Sequence, residues 1–153
     1  MCNLKSVIQR VTNASVIVEG REIGAIDNGF LILLGVCEGD TADDADILAR
    51  KTANLRVFED EDGKMNKSLI DLGYSALVIS QFTLCADCKK GNRPSFIKAA
   101  KPDEAVPLYE LYMEKLRENG VENVRHGEFG ADMKVVLLND GPVTIIYDTN
   151  EWK

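Results

Sequence analysis

Residues 30–36 read FLILLGV, an apolar run that opens beside Gly29 and contains Gly35. Its continuity predicts a strand covered on both faces and therefore central to a sheet. Before it, LKSVIQRV, ASVIVEG and REIGAI are rich in β-branched residues and are separated by Asn13 and by Gly20-Arg21. That pattern predicts a strand, a bend and a hairpin. After EGDT the period changes. In ADDADILARKTANLRVF, Ile47, Leu48, Lys51 and Leu55 follow helical spacing, acids fill the first turn, and Asp40 or Thr41 can cap it. DEDGKMNKSL is polar, with Asp62-Gly63 as its turn, and SALVISQFTL resumes strand character. A second helix is expected from Pro102, with Leu108, Leu111, Tyr112 and Leu116 as its stripe and Gly120 at its end. Pro107 falls early enough to be tolerated or to shift the start. MKVVLLND and PVTIIYD supply two final strands around Gly141-Pro142. Pro removes a ladder donor and Gly removes rigidity, so that dipeptide damages a strand entrance unless the chain does something special there.

The order predicts an α/β chain of the α+β type. It is a single domain, 1–153, with an antiparallel or mixed, barrel-like β core and two main helices packed against it. Both sheet edges need cover, which dimerisation would provide.

Length and composition narrow the function without naming it. A chain of 153 residues, 45% hydrophobic and 28% charged, suits one globular domain with a substantial core. No apolar run is long enough to span a bilayer, and MCNLKSVIQR lacks a signal-peptide core, so a cytoplasmic protein without membrane contact is expected. Four cysteines, Cys2, Cys37, Cys85 and Cys88, are too few and scattered for a disulfide scaffold and are read as reduced thiols. A net charge of −7 disfavours broad nonspecific nucleic-acid binding. The local exception is Lys89, Lys90, Arg93, Lys98 and Lys101, a stretch without acids that suits a phosphate or simply a solvated loop.

Candidate chemistry is sparse. Any His-dependent triad must use His126, which sits in a polar link with no nucleophile elbow in the sequence. CADC at 85–88 is a lone pair, weak as a redox or zinc motif, and no nucleotide loop occurs, so no metal and no cofactor is expected. SQFTL remains: Ser80, Gln81 and Thr83 put three hydrogen-bonding side chains at a strand end, just before the basic loop. Strand alternation sends Ser80 and Phe82 one way and Gln81 and Thr83 the other. Satisfying backbone groups where the strand breaks is the plainer reading of the same residues.

SQFTL and NDGPVT together make the chain resemble the D-aminoacyl-tRNA deacylases of the SQxxL and Gly-Pro type. The resemblance covers nearly the whole length, including VIQRVTNASV, GFLILLGV, ANLRVFEDEDGKMNKS and SQFTLCADCKKGNRPSF in family order. It implies a homodimer that hydrolyses the ester joining a D-amino acid to the 3′-terminal adenosine of tRNA, accepts glycyl-tRNA and rejects L-aminoacyl-tRNA. The family's Gly-Pro bond is cis and enters the partner subunit's pocket, a role that falls on Gly141 and Pro142. Ser80, Gln81, Phe82 and Thr83 would line the pocket, and Arg10 would help hold the Gly-Pro unit. Phe96, in the loop that follows, could stack on the terminal base. Cys85 and Cys88 depart from the family pattern.

With no motif-borne base beside SQFTL, backbone N–H groups near Gln81 and Phe82 would bind the developing oxyanion while the ribose 2′-hydroxyl helps activate water. Covalent attack by Thr83 is the rival. The alternative functions are a non-catalytic, dimeric nucleic-acid-binding module and a purely structural dimerisation domain.

Overall fold

The N-terminal third forms one long bent hairpin in the computed structural model, which describes residues 3–153. Strand β1, Lys5–Val18, passes through Asn13 unbroken; the expected bend is a bulge in its pairing. Strands β2, Arg21–Ile26, and β3, Gly29–Gly35, run back along β1, from Val18↔Arg21 to Lys5↔Gly35. Strand β6, Ser75–Ser80, pairs with β3 in parallel, and β7, Val124–His126, pairs in parallel with β6. The two strands expected at the end are one, β8, Met133–Asp148, antiparallel to β1 along its other side. Between them, β4, Phe58–Glu59, and β5, Met65–Lys67, form a small ribbon around the Asp62-Gly63 turn.

The mixed sheet curls into a nearly closed barrel with two apolar layers. Phe30, Ile32, Leu34, Ala76 and Val78 face the helices, whereas Leu31, Leu77 and Ile79 face the barrel interior with Val11, Ala14 and Val16. β3 is thus covered on both sides, as its unbroken apolar run predicts, and Phe30, Ile32 and Leu34 are within 1% of full burial. Each contributes about 1.5–3 kcal/mol. Closure needs small residues: a Cβ at Gly24 would stand 3.0 Å from the His126 carbonyl oxygen.

Helix α1, Ala42–Ala53, starts at a reciprocal Thr41–Asp44 capping box and stops at Asn54, earlier than the periodic run through Leu55. The chain must leave there because Phe58 is drawn inward, stacking on Phe30 with ring centroids 5.0 Å apart. A short capped helix, α2, Leu69–Leu72, follows. Helix α3, Pro102–Glu118, contains Pro107 and forgoes the bond that residue's N–H would give. Its buried face is rotated from the expected stripe: Tyr109 and Met113 are buried, and Leu108 and Leu111 only partly so. Tyrosine reach explains the rotation. Tyr109 Oη donates to the Val78 carbonyl at 2.9 Å and Tyr112 Oη to Thr52 Oγ1 at 2.9 Å.

The thiol expectation is corrected. Cys37 and Cys85 form a disulfide with Cα atoms 6.1 Å apart, because β3 and β6 are adjacent and parallel and their C-terminal ends emerge together. A separation of 48 residues hid the pair. Cys88 is free and exposed, so CADC is not a bonded pair; Cys2 lies outside the described residues. His126 closes a short strand and is not in the polar link expected for it.

Candidate active site

The ladder between β6 and β3 runs one step past the end of β6: the Gln81 N–H donates to the Leu34 carbonyl at 2.8 Å. The chain then tightens into a 3-10 turn, Phe82–Cys85, which lies against Gly35. A Cβ there would stand 2.7 Å from Leu84 Cβ, so glycine allows the turn to settle on β3. Strand alternation therefore fails at this point. Ser80, Gln81 and Phe82 turn to one cleft, while Gln81 and Thr83, expected on one side, do meet, with Gln81 Nε2 donating to Thr83 Oγ1 at 2.5 Å.

Ser80, Gln81 and Phe82 line a cleft of about 310 Å³ whose opposite wall includes Phe129, Met133 and Val135. Thr83 is exposed beside them. Phe82 is 54% exposed and meets Phe96 edge-on at 5.1 Å, forming an aromatic corner on the turn. Four of the predicted site residues and Phe96 are thus brought together. The hydrogen-bond partner of Thr83 is an amide, and among the described residues no histidine, lysine or carboxylate bonds to Ser80 or Thr83. One expectation shifts: the Gln81 N–H is occupied by Leu34, whereas the N–H groups of Phe82 and Thr83 have no backbone partner among the described residues.

Behind the turn, residues 86–100 are pinned as a loop. Asp87 and Ser95 exchange backbone bonds of 2.8 and 2.9 Å, and Lys98 pairs with the Asp87 carboxylate at 3.3 Å. Bonds from the Lys89 N–H and the Lys98 ammonium hold that carboxyl below its ordinary range. One of the five basic side chains is therefore already paired. Lys89, Lys90, Arg93 and Lys101 remain exposed.

Arg10, Gly141 and Pro142 form a second group. Gln9 to Val11 is two steps on β1, but Thr144 to Asn139 is five on β8, so residues 140–143 bulge opposite Arg10. Arg10 is 7% exposed. It donates through Nε to the Asp140 carbonyl at 2.9 Å and through Nη1 to the Val57 carbonyl at 2.6 Å, and its Nε lies 3.4 Å from the Asp140 carboxylate. The Gly141-Pro142 bond is cis, and both residues are exposed.

Sequence reasoning missed Asn139. Its Nδ2 donates to Gln9 Oε1 at 2.9 Å and to the Arg10 carbonyl at 3.0 Å, while a Cβ on Gly141 would stand 2.6 Å from its Oδ1. The available signal was an Asn-Asp pair before Gly-Pro, typical of a side-chain-fixed turn.

The two groups are separate within one chain. Val135 lines the cleft, and Gly141 is six residues further along β8, about 20 Å of extended strand. His126 belongs to neither group: it lines a different cleft of about 610 Å³ with Glu110, Glu114 and Arg117, and its Nδ1 lies 2.6 Å from the Gly127 carbonyl oxygen. No cluster of three or more metal-ligating side chains occurs among the described residues. No helix among them is long and apolar enough to cross a membrane.

The fold is an α+β barrel, and its cleft presents hydroxyls, amides and backbone N–H groups. A family model described as D-Tyr-tRNA(Tyr) deacylase matches residues 7–148. The chain belongs to that family. It is 59% identical over 148 residues to the D-aminoacyl-tRNA deacylase of Thermus aquaticus, covering 97% of both proteins. It is 51% identical to that of a Geobacillus strain, again at 97% coverage of both. Among solved structures, "c-Myc DNA Unwinding Element Binding Protein" is 46% identical with a TM-score of 0.89, covering 94% of this chain and 97% of that one. A probable eukaryotic D-amino acid tRNA deacylase shares the fold at a TM-score of 0.81 and 14% identity, over 95% of this chain and 99% of that one.

Proposed function

We propose that the protein hydrolyses the ester joining a D-amino acid, or glycine, to the 3′-terminal adenosine of tRNA and rejects the L-aminoacyl ester. What carries the reading is a cleft built from the SQFTL segment in a chain 59% identical to a D-aminoacyl-tRNA deacylase. The aromatic corner of Phe82 and Phe96 suits the terminal adenine, and the exposed cations of the adjoining loop suit its phosphate.

An aminoacyl ester is already activated, so positioning and oxyanion stabilisation can suffice. The N–H groups of Phe82 and Thr83, without a backbone partner among the described residues, are the donors for that charge, and the substrate's 2′-hydroxyl assists the attacking water. Thr83 is a poor nucleophile in this setting: its oxygen accepts from the Gln81 amide and no bonded group can take its proton.

Chirality is assigned to Gly141 and Pro142, whose backbone carbonyls would block the direction of an L side chain and leave the D direction open. Glycine, with nothing to block, passes. The dipeptide is not among the residues lining its own cleft, and it is therefore assigned to the cleft of a second copy. The exposed edge strand β8 supports that docking, with Val136, Leu138 and Ile146 at 53, 58 and 69% exposure.

The test is ester loss from D-tyrosyl-tRNA and L-tyrosyl-tRNA. D-selective hydrolysis is expected, and its absence would sink the reading. Nucleic-acid binding without hydrolysis would favour the alternative of a binding module, which the name of one similar structure keeps in view.

A further inference from the structure

Cys37 and Cys85 are each 1% exposed, and their disulfide fixes the far end of the 82–85 turn to the chain leaving β3. The near end is fixed by the bond from the Gln81 N–H to Leu34. Residues 82–84 lie between these anchors, and they carry Phe82, Thr83 and the two N–H groups that lack a backbone partner among the described residues. The same stub of chain after β3 holds the basic loop. Cys37 bridges to Ala99, Ala100 N–H donates to the Val36 carbonyl at 3.0 Å, and Glu38 N–H donates to the Lys98 carbonyl at 2.8 Å. One sulfur pair therefore joins the turn that bears the cleft donors to the loop that bears the cations.

Resting on the function proposed above, we infer that Cys37 and Cys85 are a thiol–disulfide modification site that sets the rate of deacylation. Oxidised, the pair holds turn and loop on one stub. Reduced, the turn is released at its far end while the β-ladder persists. The reagents are low-molecular-weight thiols and their disulfides. Both sulfurs are buried, so exchange proceeds through local opening of the turn at the exposed Phe82 and Thr83. One thiolate then attacks a protein sulfur, breaks the S–S bond and leaves a mixed disulfide, and the displaced protein thiolate takes up a proton. A second thiolate cleaves the mixed disulfide, releasing the oxidised reagent and the second protein thiolate, which is protonated in turn. Two electrons and two protons pass to the protein, and the reverse sequence restores the bond.

The experiment equilibrates the full chain with oxidised glutathione or with dithiothreitol. It reads non-reduced peptide masses, amide hydrogen exchange at residues 82–86, and hydrolysis of D-tyrosyl-tRNA. Expected in the oxidised form are a peptide linked through Cys37 and Cys85, slower exchange, and kcat/KM about three- to tenfold higher. Cys37→Ser should give one rate in both conditions, and Cys88→Ser should keep the difference; Cys85→Ala replaces Cys37→Ser should that variant misfold. Absence of the linked peptide overturns the inference, and so does a linked form with unchanged exchange and rate. Hydrolysis in neither condition would instead remove the functional reading, leaving the exchange data to decide whether the bond orders the turn.

Discussion

Arg10 offers the sharpest test of how the Gly141-Pro142 bulge is held. Its guanidinium is buried and makes two bonds to main-chain carbonyls, those of Val57 and Asp140. Each charge-assisted bond is worth about 1.5–3 kcal/mol when its loss leaves an acceptor without a donor. The ion pair to the Asp140 carboxylate adds little, about 0–1 kcal/mol, since that side chain is 50% exposed. Arg10→Ala should therefore cost roughly 3 kcal/mol or more, lowering the thermal midpoint by about 6–12 °C for a chain of this size. Arg10→Lys, whose single nitrogen cannot reproduce the separated Nε and Nη1 donors, should lose about half as much. Asp140→Ala keeps the carbonyl acceptor and should cost no more than about 1 kcal/mol. Denaturation would be followed by circular dichroism, alongside hydrolysis of D- and L-tyrosyl-tRNA; Arg10→Ala should weaken rejection of the L substrate more than it slows turnover of the D substrate. Should Asp140→Ala prove as damaging as Arg10→Ala, or Arg10→Ala cost under about 1 kcal/mol, the carbonyl-clamp argument is wrong.

Thr83→Ala should keep kcat within about tenfold of the parent, and a loss of several orders of magnitude with intact binding would establish Thr83 as the nucleophile. His126→Ala should leave turnover nearly unchanged; collapse of activity in a folded variant would reveal a base in the wrong cleft. The Asp40 carboxyl is pushed up to about 7, chiefly by burial and further by the nearby Asp44 carboxylate, against the pull of the Cys37 N–H. Because the folded value lies above the unfolded one, its stabilising effect is fullest below about pH 4 and is lost as pH rises through 7. The urea midpoint of the parent should accordingly fall relative to Asp40→Asn between about pH 4 and 7, and parallel profiles would show ordinary titration. The Cys37–Cys85 link closes a span of 48 residues, for which chain entropy gives about 4 kcal/mol. Cys37→Ser should thus melt roughly 8–16 °C lower than the oxidised parent, and equal melting would show that the bond adds no stability.

Continuous patterns carried most of the fold. FLILLGV announces a strand covered on both faces because neither face tolerates a polar side chain, and a cap at Asp40 or Thr41 is legible because its partners are local. Elements that depend on distant partners were illegible. β7 exists because the chain after α3 lies along β6, the α3 stripe rotates so that Tyr109 can reach Val78, and the disulfide appears only once β3 and β6 are neighbours. At the candidate site, SQFTL and Gly-Pro stand out as residues. That the Gln81 N–H is already spent on Leu34, and that Asn139 braces the bulge, are consequences of register.

The bulge on β8 also carries an arithmetic of faces. It inserts three residues relative to β1, while one extra residue, Thr12, interrupts β1 nearby. Both numbers are odd, so both strands turn over together. Met133, Val135 and Leu137 look into the barrel, whereas Val143, Ile145 and Tyr147, of the same parity, look toward the helices. Excising one residue or three from 140–143 would put Ile145 and Tyr147 on the wrong side. Excising two would keep every later side chain in phase. Gly141 and Pro142 are two. Removal of the dipeptide alone would leave Ile145 and Tyr147 on the face they now occupy.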